Sequence, residues 1–285
     1  MAVTSRKVAH RKMRQVATAG NAHEEDRPPL SNMELLVIRG ISVRFGGVLA
    51  LDNVSLQVNA GAMLGIIGPN GAGKTTLMNV ISGLVRPSAG SIRFGQDQIE
   101  LTRAARQYRA KIGVARTFQQ SRLFAGLTVL DQLMCGAYAR TQYGPVAAIL
   151  RLPRAAKAEA TIREEALQIL ADLGLADLSF ADVDALPGPA RRLVDFGRAL
   201  MARPTLLLLD EIAAGTTDVE KQRVIAIVRG LHRQGVTTLL IEHDLDFIRA
   251  LADNVVVMAQ GKVLAEGATD AVLKREDVLR AYVGE

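Results

Sequence analysis

Gly68-Pro69-Asn70-Gly71-Ala72-Gly73-Lys74-Thr75-Thr76 follows directly on the apolar run Met63-Leu64-Gly65-Ile66-Ile67. Read as strand, loop and helix start, the stretch forms a phosphate cradle. Glycines at 68, 71 and 73 let consecutive backbone N–H groups turn toward one anion. Lys74 adds a point charge for the outer phosphates, and Thr75 offers a hydroxyl to a magnesium ion. Leu77 to Ser82 carry helical spacing, so the positive end of a helix dipole faces the same phosphates. The plain alternative is a glycine-rich turn without a ligand. The Lys-Thr pair at its required offset and the preceding strand argue against it.

Around this loop the chain has 285 residues and is 49% hydrophobic, enough for a packed core in one large domain or two small ones. Its longest apolar runs, such as Leu206 to Leu209 and Val255 to Met258, fall far short of the roughly 20 residues of a membrane helix. Cys135 is the single cysteine, so no internal disulfide forms and a reducing compartment is expected. The net charge is +6, with a pI of about 9.7. Arg6, Lys7, Arg11, Lys12 and Arg14 concentrate positive charge before residue 20 without an acid among them. Residues 1–32 read as a basic, disordered extension. A transit peptide, or an arm touching anionic lipid or nucleic acid, is the alternative. The polar linker Glu24-Glu25-Asp26-Arg27-Pro28-Pro29 follows, and Met33 is an alternative start. No apolar h-region is present, which argues against a secretory signal.

From Glu34 to Arg93 short alternating strands surround the loop and its helix, the beginning of a nucleotide-binding lobe. Val129 to Arg140 and Ala155 to Leu173 are amphipathic and helix-rich, broken at Gly144-Pro145 and Leu152-Pro153. They read as a helical insert. After Leu186 the alternation of strands and helices resumes, with core strands at Thr205 to Leu209, Val236 to Ile241 and Asn254 to Met258 in one parallel sheet.

Two of these strands end in chemistry. Leu206-Leu207-Leu208-Leu209-Asp210-Glu211 delivers two adjacent carboxylates, which alternation puts on opposite sides. Asp210 suits a magnesium ion, and Glu211 suits orienting or deprotonating an attacking water. Val236 to Ile241 leads into Glu242-His243-Asp244 and brings His243 to the sheet edge where open α/β folds bind ligands. There it can hydrogen-bond a γ-phosphate oxygen. Alone it would more often be a structural donor.

Together these residues resemble the nucleotide-binding subunit of an ABC transporter. Within that group the chain is similar to ATPases of branched-chain amino acid type importers. The phrases that carry the likeness are Phe45-Gly46-Gly47, Ala115-Arg116-Thr117-Phe118-Gln119, Arg122-Leu123-Phe124, Leu127-Thr128-Val129, Ile241-Glu242-His243-Asp244 and Ala281-Tyr282-Val283-Gly284. It covers residues 34–285 and implies one α/β P-loop NTPase domain. That domain has a RecA-like core, an antiparallel β subdomain and a helical subdomain at about 120–186. The resemblance implies that Phe45 stacks on adenine, although a core phenylalanine is an equal reading of the residue itself. It further implies that Gln119 touches magnesium and the attacking water, that Glu211 is the general base, and that His243 is the switch histidine. ATP and Mg2+ are the implied cofactors. The implied partners are a second ABC ATPase subunit, two membrane permeases and, indirectly, a solute-binding protein; no nucleic acid is expected. The helical insert is implied to receive the permease, on the cytoplasmic face of a bacterial inner membrane.

The chain departs from that family at Leu186-Pro187-Gly188-Pro189-Ala190, where the signature Leu-Ser-Gly-Gly-Gln is expected. Two prolines remove a hydroxyl and two N–H donors, each worth roughly 1.5 to 3 kcal/mol toward a charged phosphate. Pro189 also suits a first helical turn. Ile212 replaces the usual proline after the base, and Ala214-Gly215-Thr216-Thr217-Asp218 lacks the usual interface residues. The expected function is ATP hydrolysis that powers import of a small polar solute of the branched-chain amino acid, amide or urea class. A regulatory subunit of low activity, or an ABC ATPase outside transport, is the alternative.

Overall fold

The computed structural model describes residues 33–118, 123–141 and 153–283. The basic extension at 1–32 and the Gly144-Pro145 break lie outside the described residues. Two sheets organise the rest.

Strands β1 (Glu34–Phe45) and β2 (Val48–Asn59) form an antiparallel hairpin turned by Gly46-Gly47. The free edge of β1 pairs with β4 (Ala89–Phe94), which carries the short β5 (Ile99–Glu100), giving the order β2-β1-β4-β5. The second sheet runs β10-β9-β3-β8-β7-β6. Its strands are β3 (Met63–Ile67), β6 (Val114–Arg116), β7 (Leu206–Asp210), β8 (Thr237–Ile241), β9 (Asn254–Ala259) and β10 (Lys262–Ala268). All pairs are parallel except β9 with β10. The parallel sheet expected from the sequence is present, with an antiparallel strand on one edge.

The continuous apolar runs have a direct cause, since these strands are covered on both faces. Alternate residues of β7 serve separate cores: Leu207 and Leu209 face the helices, while Leu206 and Leu208 face the antiparallel sheet. Helix α1 (Lys74–Ile81) lies in the second core through Leu77, Met78, Val80 and Ile81. Helix α2 (Arg106–Lys111) leads into β6.

On the other face pack α3 (Val129–Gly136), α4 (Pro153–Leu173) and α5 (Gly188–Met201). Pro153 begins α4, where its missing N–H costs no helical hydrogen bond. Gly197 lets α5 nest between its neighbours, because a Cβ there would lie 3.1 Å from both Leu133 and Leu173. Helices α6 (Asp218–Arg233), α7 (Leu245–Leu251), α8 (Thr269–Val272) and α9 (Glu276–Val283) complete the chain.

One buried cation ties α1 to the antiparallel lobe. Arg109 of α2, 2% exposed, donates to the carbonyls of Val80 and Ile81 at 2.7 and 2.6 Å and to Leu101 at 2.5 Å. It thereby satisfies carbonyls at the C-terminal end of α1, where positive charge also complements the helix dipole. Arg109→Met would keep the stem and leave these buried acceptors bare. We expect a loss of about 3–5 kcal/mol, read as a lower urea midpoint for unfolding.

Candidate active site

The sheet order brings the expected residues together. The phosphate loop leaves the C-terminal end of β3, Asp210 ends β7 and His243 follows β8. The three strands stand side by side in the order β3-β8-β7. Ligands in open α/β sheets bind at this end.

Within the loop, Gly68 has a φ of 144° and touches β9: a Cβ there would fall 2.1 Å from the Met258 carbonyl oxygen. Gly73, with a φ of 99°, caps α1, and a Cβ would collide with the Ala50 carbonyl oxygen and Leu51 at 2.8 Å. Gly68 and Gly73 are therefore demanded by close packing as well as by the turn, whereas Gly71, at a φ of 81°, has open space where a Cβ would be. Pro69 is half-buried and Ala72 buried, while Asn70, Gly71 and Thr75 are exposed and Thr76 half-buried. Lys74 is buried and folds back to donate to the Gly68 and Pro69 carbonyls at 2.6 and 2.9 Å. Burial lowers its pKa, and the carboxylates of Glu211 and Asp210 oppose that shift.

Asp210 is enclosed, and burial raises its pKa against the pull of Arg116. Its Oδ2 accepts from Arg116 at 2.8 Å, and its backbone N–H donates to the Thr117 hydroxyl at 3.0 Å. The buried Oδ1 has no hydrogen-bond partner among the described residues. An orphaned carboxylate oxygen beside a phosphate loop is the donor expected for magnesium, which takes one or two carboxylates and completes its shell with phosphates and water. The residues therefore fit the ion.

Glu211 corrects the expectation from simple alternation. It leaves β7 in the left-handed region, at a φ of 51°. For a non-glycine residue that conformation costs of order 1–3 kcal/mol and persists only where its surroundings impose it. Here the Glu211 N–H donates to Ile241 at 2.9 Å, and Oε1 lies 3.1 Å from Nε2 of His243. The carboxylate is thus aimed at the histidine, at the rim of the site. Phe45 is 50% exposed at the end of β1, which suits a stacking platform and not a core residue. Gln119 and Arg122 lie outside the described residues.

The sequence reading missed the frame around these groups. Asp195 of α5, 1% exposed, accepts from the Phe118 N–H at 2.8 Å and pairs with Arg198. Gln132, fully buried, brackets Phe124 through both its backbone groups. Phe118 and Phe124 are therefore both held from the helical side. Asp244 has a local role: it caps α7 and accepts from Lys221 at 2.7 Å, which holds its carboxyl below the usual range.

The Leu186 to Ala190 segment enters α5 with Pro187 at the N-cap and Pro189 in the first turn, as its sequence suggested. Leu186 and Ala190 are buried, whereas Pro187 and Gly188 are exposed. Arg192 donates to the Ala214 carbonyl, and a Cβ on Gly215 would lie 3.5 Å from Pro189. The unusual segments at 186–190 and 212–218 are therefore spatial neighbours, joined through Arg192. Thr217 and Glu220 form a reciprocal capping box that opens α6, a local reason for the altered residues there.

Residues 51–214 match the ABC transporter family model. The chain is 34% identical over 252 residues to the high-affinity branched-chain amino acid transport ATP-binding protein LivG of Escherichia coli, covering 88% of this chain and 98% of that one. It is 35% identical over 257 residues to the probable counterpart of Methanocaldococcus jannaschii, covering 89% and 98%. Among solved structures, a nucleotide-free ATP-binding cassette from an ABC transporter superposes with a TM-score of 0.75 at 34% identity, over 89% of this chain and 100% of that one. A cassette in its ADP conformation gives 0.72 at 33%, again over 89% and 100%. The fold and phosphate loop define an ATP-binding, ATP-hydrolysing cassette. The chain belongs to the ABC transporter family.

One buried acid makes the site's stability pH-dependent. Glu242 is 4% exposed and accepts from the Ala213 N–H at 2.7 Å. Burial, with Glu211 and Asp244 nearby, raises its pKa to about 7 from an ordinary 4.5. A raised folded pKa means that the native state holds the proton more tightly, so this contribution is complete below about 4.5 and is lost as pH rises through about 7. Glu242→Gln removes the titration. Relative to wild type it should gain up to roughly 3 kcal/mol at pH 8 and little at pH 4.5, as measured by denaturant unfolding at both values.

Proposed function

We propose that this cassette powers import of a small polar solute, of the branched-chain amino acid, amide or urea class, through partner permeases. The observation that carries this reading is the match along nearly the whole length of ATP-binding proteins named for branched-chain amino acid transport. No described helix is long and apolar enough to cross a membrane; in this reading the permeases carry the solute. We read the helices between residues 129 and 185 as the surface that receives a permease on the cytoplasmic side, and residues 1–32 as an extension outside the cassette.

In this reading the loop amides from Gly68 to Thr76 cradle the phosphates, Lys74 turns from its loop carbonyls to the outer phosphates, and Phe45 stacks on adenine. Thr75, Asp210 and Gln119 would hold magnesium, which would neutralise charge on the transferring phosphoryl group. Glu211 takes the proton of the attacking water, and His243, in contact with Glu211, donates to the γ-phosphate. Glu211→Gln keeps the shape and removes the base. Turnover of the assembled transporter should fall roughly a hundredfold or more while nucleotide binding persists; an unchanged rate refutes the assignment.

ATP in this family sits between the phosphate loop of one subunit and the signature of another. With Pro187 and Pro189 in its own signature, this chain offers few donors across that interface. We therefore assign it to a heterodimer with a second ATPase of intact signature. Purified alone, it should hydrolyse ATP slowly, and addition of the partner ATPase should restore the rate. High activity from the chain alone removes the heterodimer. Co-purification from membranes with two permeases supports transport, whereas recovery with ribosomes or DNA overturns it.

A further inference from the structure

We propose that Arg116 is a positioning residue of this site, an internal cation that holds one oxygen of Asp210 and leaves the other for magnesium. The inference rests on the reading of Asp210 as the magnesium carboxylate.

Arg116 ends β6, beside Leu208 of β7. Its side chain is 5% exposed and that of Asp210 1%, so the pair lies out of water. One guanidinium nitrogen donates to Asp210 Oδ2 at 2.8 Å. The other donates to Asn79 Oδ1 at 2.8 Å and to Ser82 Oγ at 2.9 Å. Asn79 lies in α1 and Ser82 caps it, and the same helix begins with Lys74 and Thr75. One planar group thus fixes Asp210 relative to the helix that carries the threonine ligand.

The two carboxylate oxygens are unequal as a result, with Oδ2 occupied and the buried Oδ1 lacking a hydrogen-bond partner among the described residues. Without Arg116, Asp210 would sit in a dry site next to Glu211 with its carboxylate unanchored and its charge opposed by burial. A lysine could supply the charge but not the fork that reaches Asp210, Asn79 and Ser82 together. The guanidinium also lies 5.3 Å from the centre of the Phe118 ring, next to the residue expected to touch magnesium.

The test is binding of a fluorescent ATP analogue to the full chain, first in EDTA and then across a magnesium titration. The variants are Arg116→Met, Arg116→Lys, Asp210→Asn and the double variant Arg116→Met with Asp210→Asn. In EDTA, Arg116→Met and Arg116→Lys should bind nucleotide with wild-type affinity, because Lys74 and the loop amides are untouched. Arg116→Met should raise the half-saturating magnesium concentration roughly 10- to 100-fold, and Arg116→Lys should raise it less. The double variant should be no worse than Asp210→Asn alone, since Arg116 acts through Asp210. A magnesium titration left unchanged by Arg116→Met, while Asp210→Asn shifts it, overturns the proposal. So does loss of nucleotide binding in EDTA, which marks a general structural role. If Arg116→Met does not fold, Arg116→Lys decides by the same two readouts. An unshifted Asp210→Asn is a separate failure, that of the magnesium-carboxylate reading itself.

Discussion

A carboxylate at the end of a strand sealed on both faces is the constraint around which this site is arranged. Burying an ionised acid is costly unless it is paired and hydrogen-bonded. Asp210 ends four consecutive buried leucines, and its partner Arg116 comes from the neighbouring strand β6. Arg116 in turn holds the phosphate-loop helix through Asn79 and Ser82. The ends of β6 and β7 and the last turn of α1 therefore share one polar anchor. Arg109 donates to the Val80 and Ile81 carbonyls of the same turn. Both arginines thus grip the last turn of α1, between Asn79 and Ser82, the end of the helix opposite the phosphate loop.

Polar groups divide by depth. Lys74, Asp210 and Glu242 are buried, and their geometry belongs to the core. Glu211 and His243 meet at the rim, where the histidine side chain is half exposed. A site whose binding residues are set by the core and whose proposed base opens outward is suited to completion by something that approaches from solvent. The left-handed backbone of Glu211 belongs to the same design, since it turns the side chain off the strand and toward His243.

The sequence made legible whatever depends on local pattern. Fully buried parallel strands appear as unbroken apolar runs, as at Leu206 to Leu209, and the loop appears through glycines with a Lys-Thr pair. The alanine-rich amphipathic stretch before Leu173 appears as one long helix. The frame was not legible, because its contacts join residues far apart in the chain. Arg116 meets Asp210 at a separation of 94, and Asp195 meets Phe118 at 77. An arginine after two small apolar residues carries no local mark of its partner. Glu211 misled for a different reason. Alternation describes a strand, and this residue has already left it.

The unusual segments at 186–190 and 212–218 are best understood together, because they lie side by side and Arg192, just after the first, donates to Ala214 of the second. Where each faces the core it keeps apolar side chains: Leu186, Ala190, Ile212 and Ala213 are buried. Pro187, Gly188, Gly215 and Thr217 are exposed or, like Pro189, half-buried. A segment losing its function by drift would be expected to lose packing as readily as surface donors, yet the packing is intact and α5 still holds Phe118 through Asp195. The departures from the family phrase therefore lie on both sides of these segments, at Ala190 and Ile212 in the core and at Pro187 and Gly215 on the surface, and the core ones are accommodated by apolar packing. Intact packing under an altered surface is compatible with the asymmetric pair proposed above, in which this chain's phosphate loop would work against another subunit's signature.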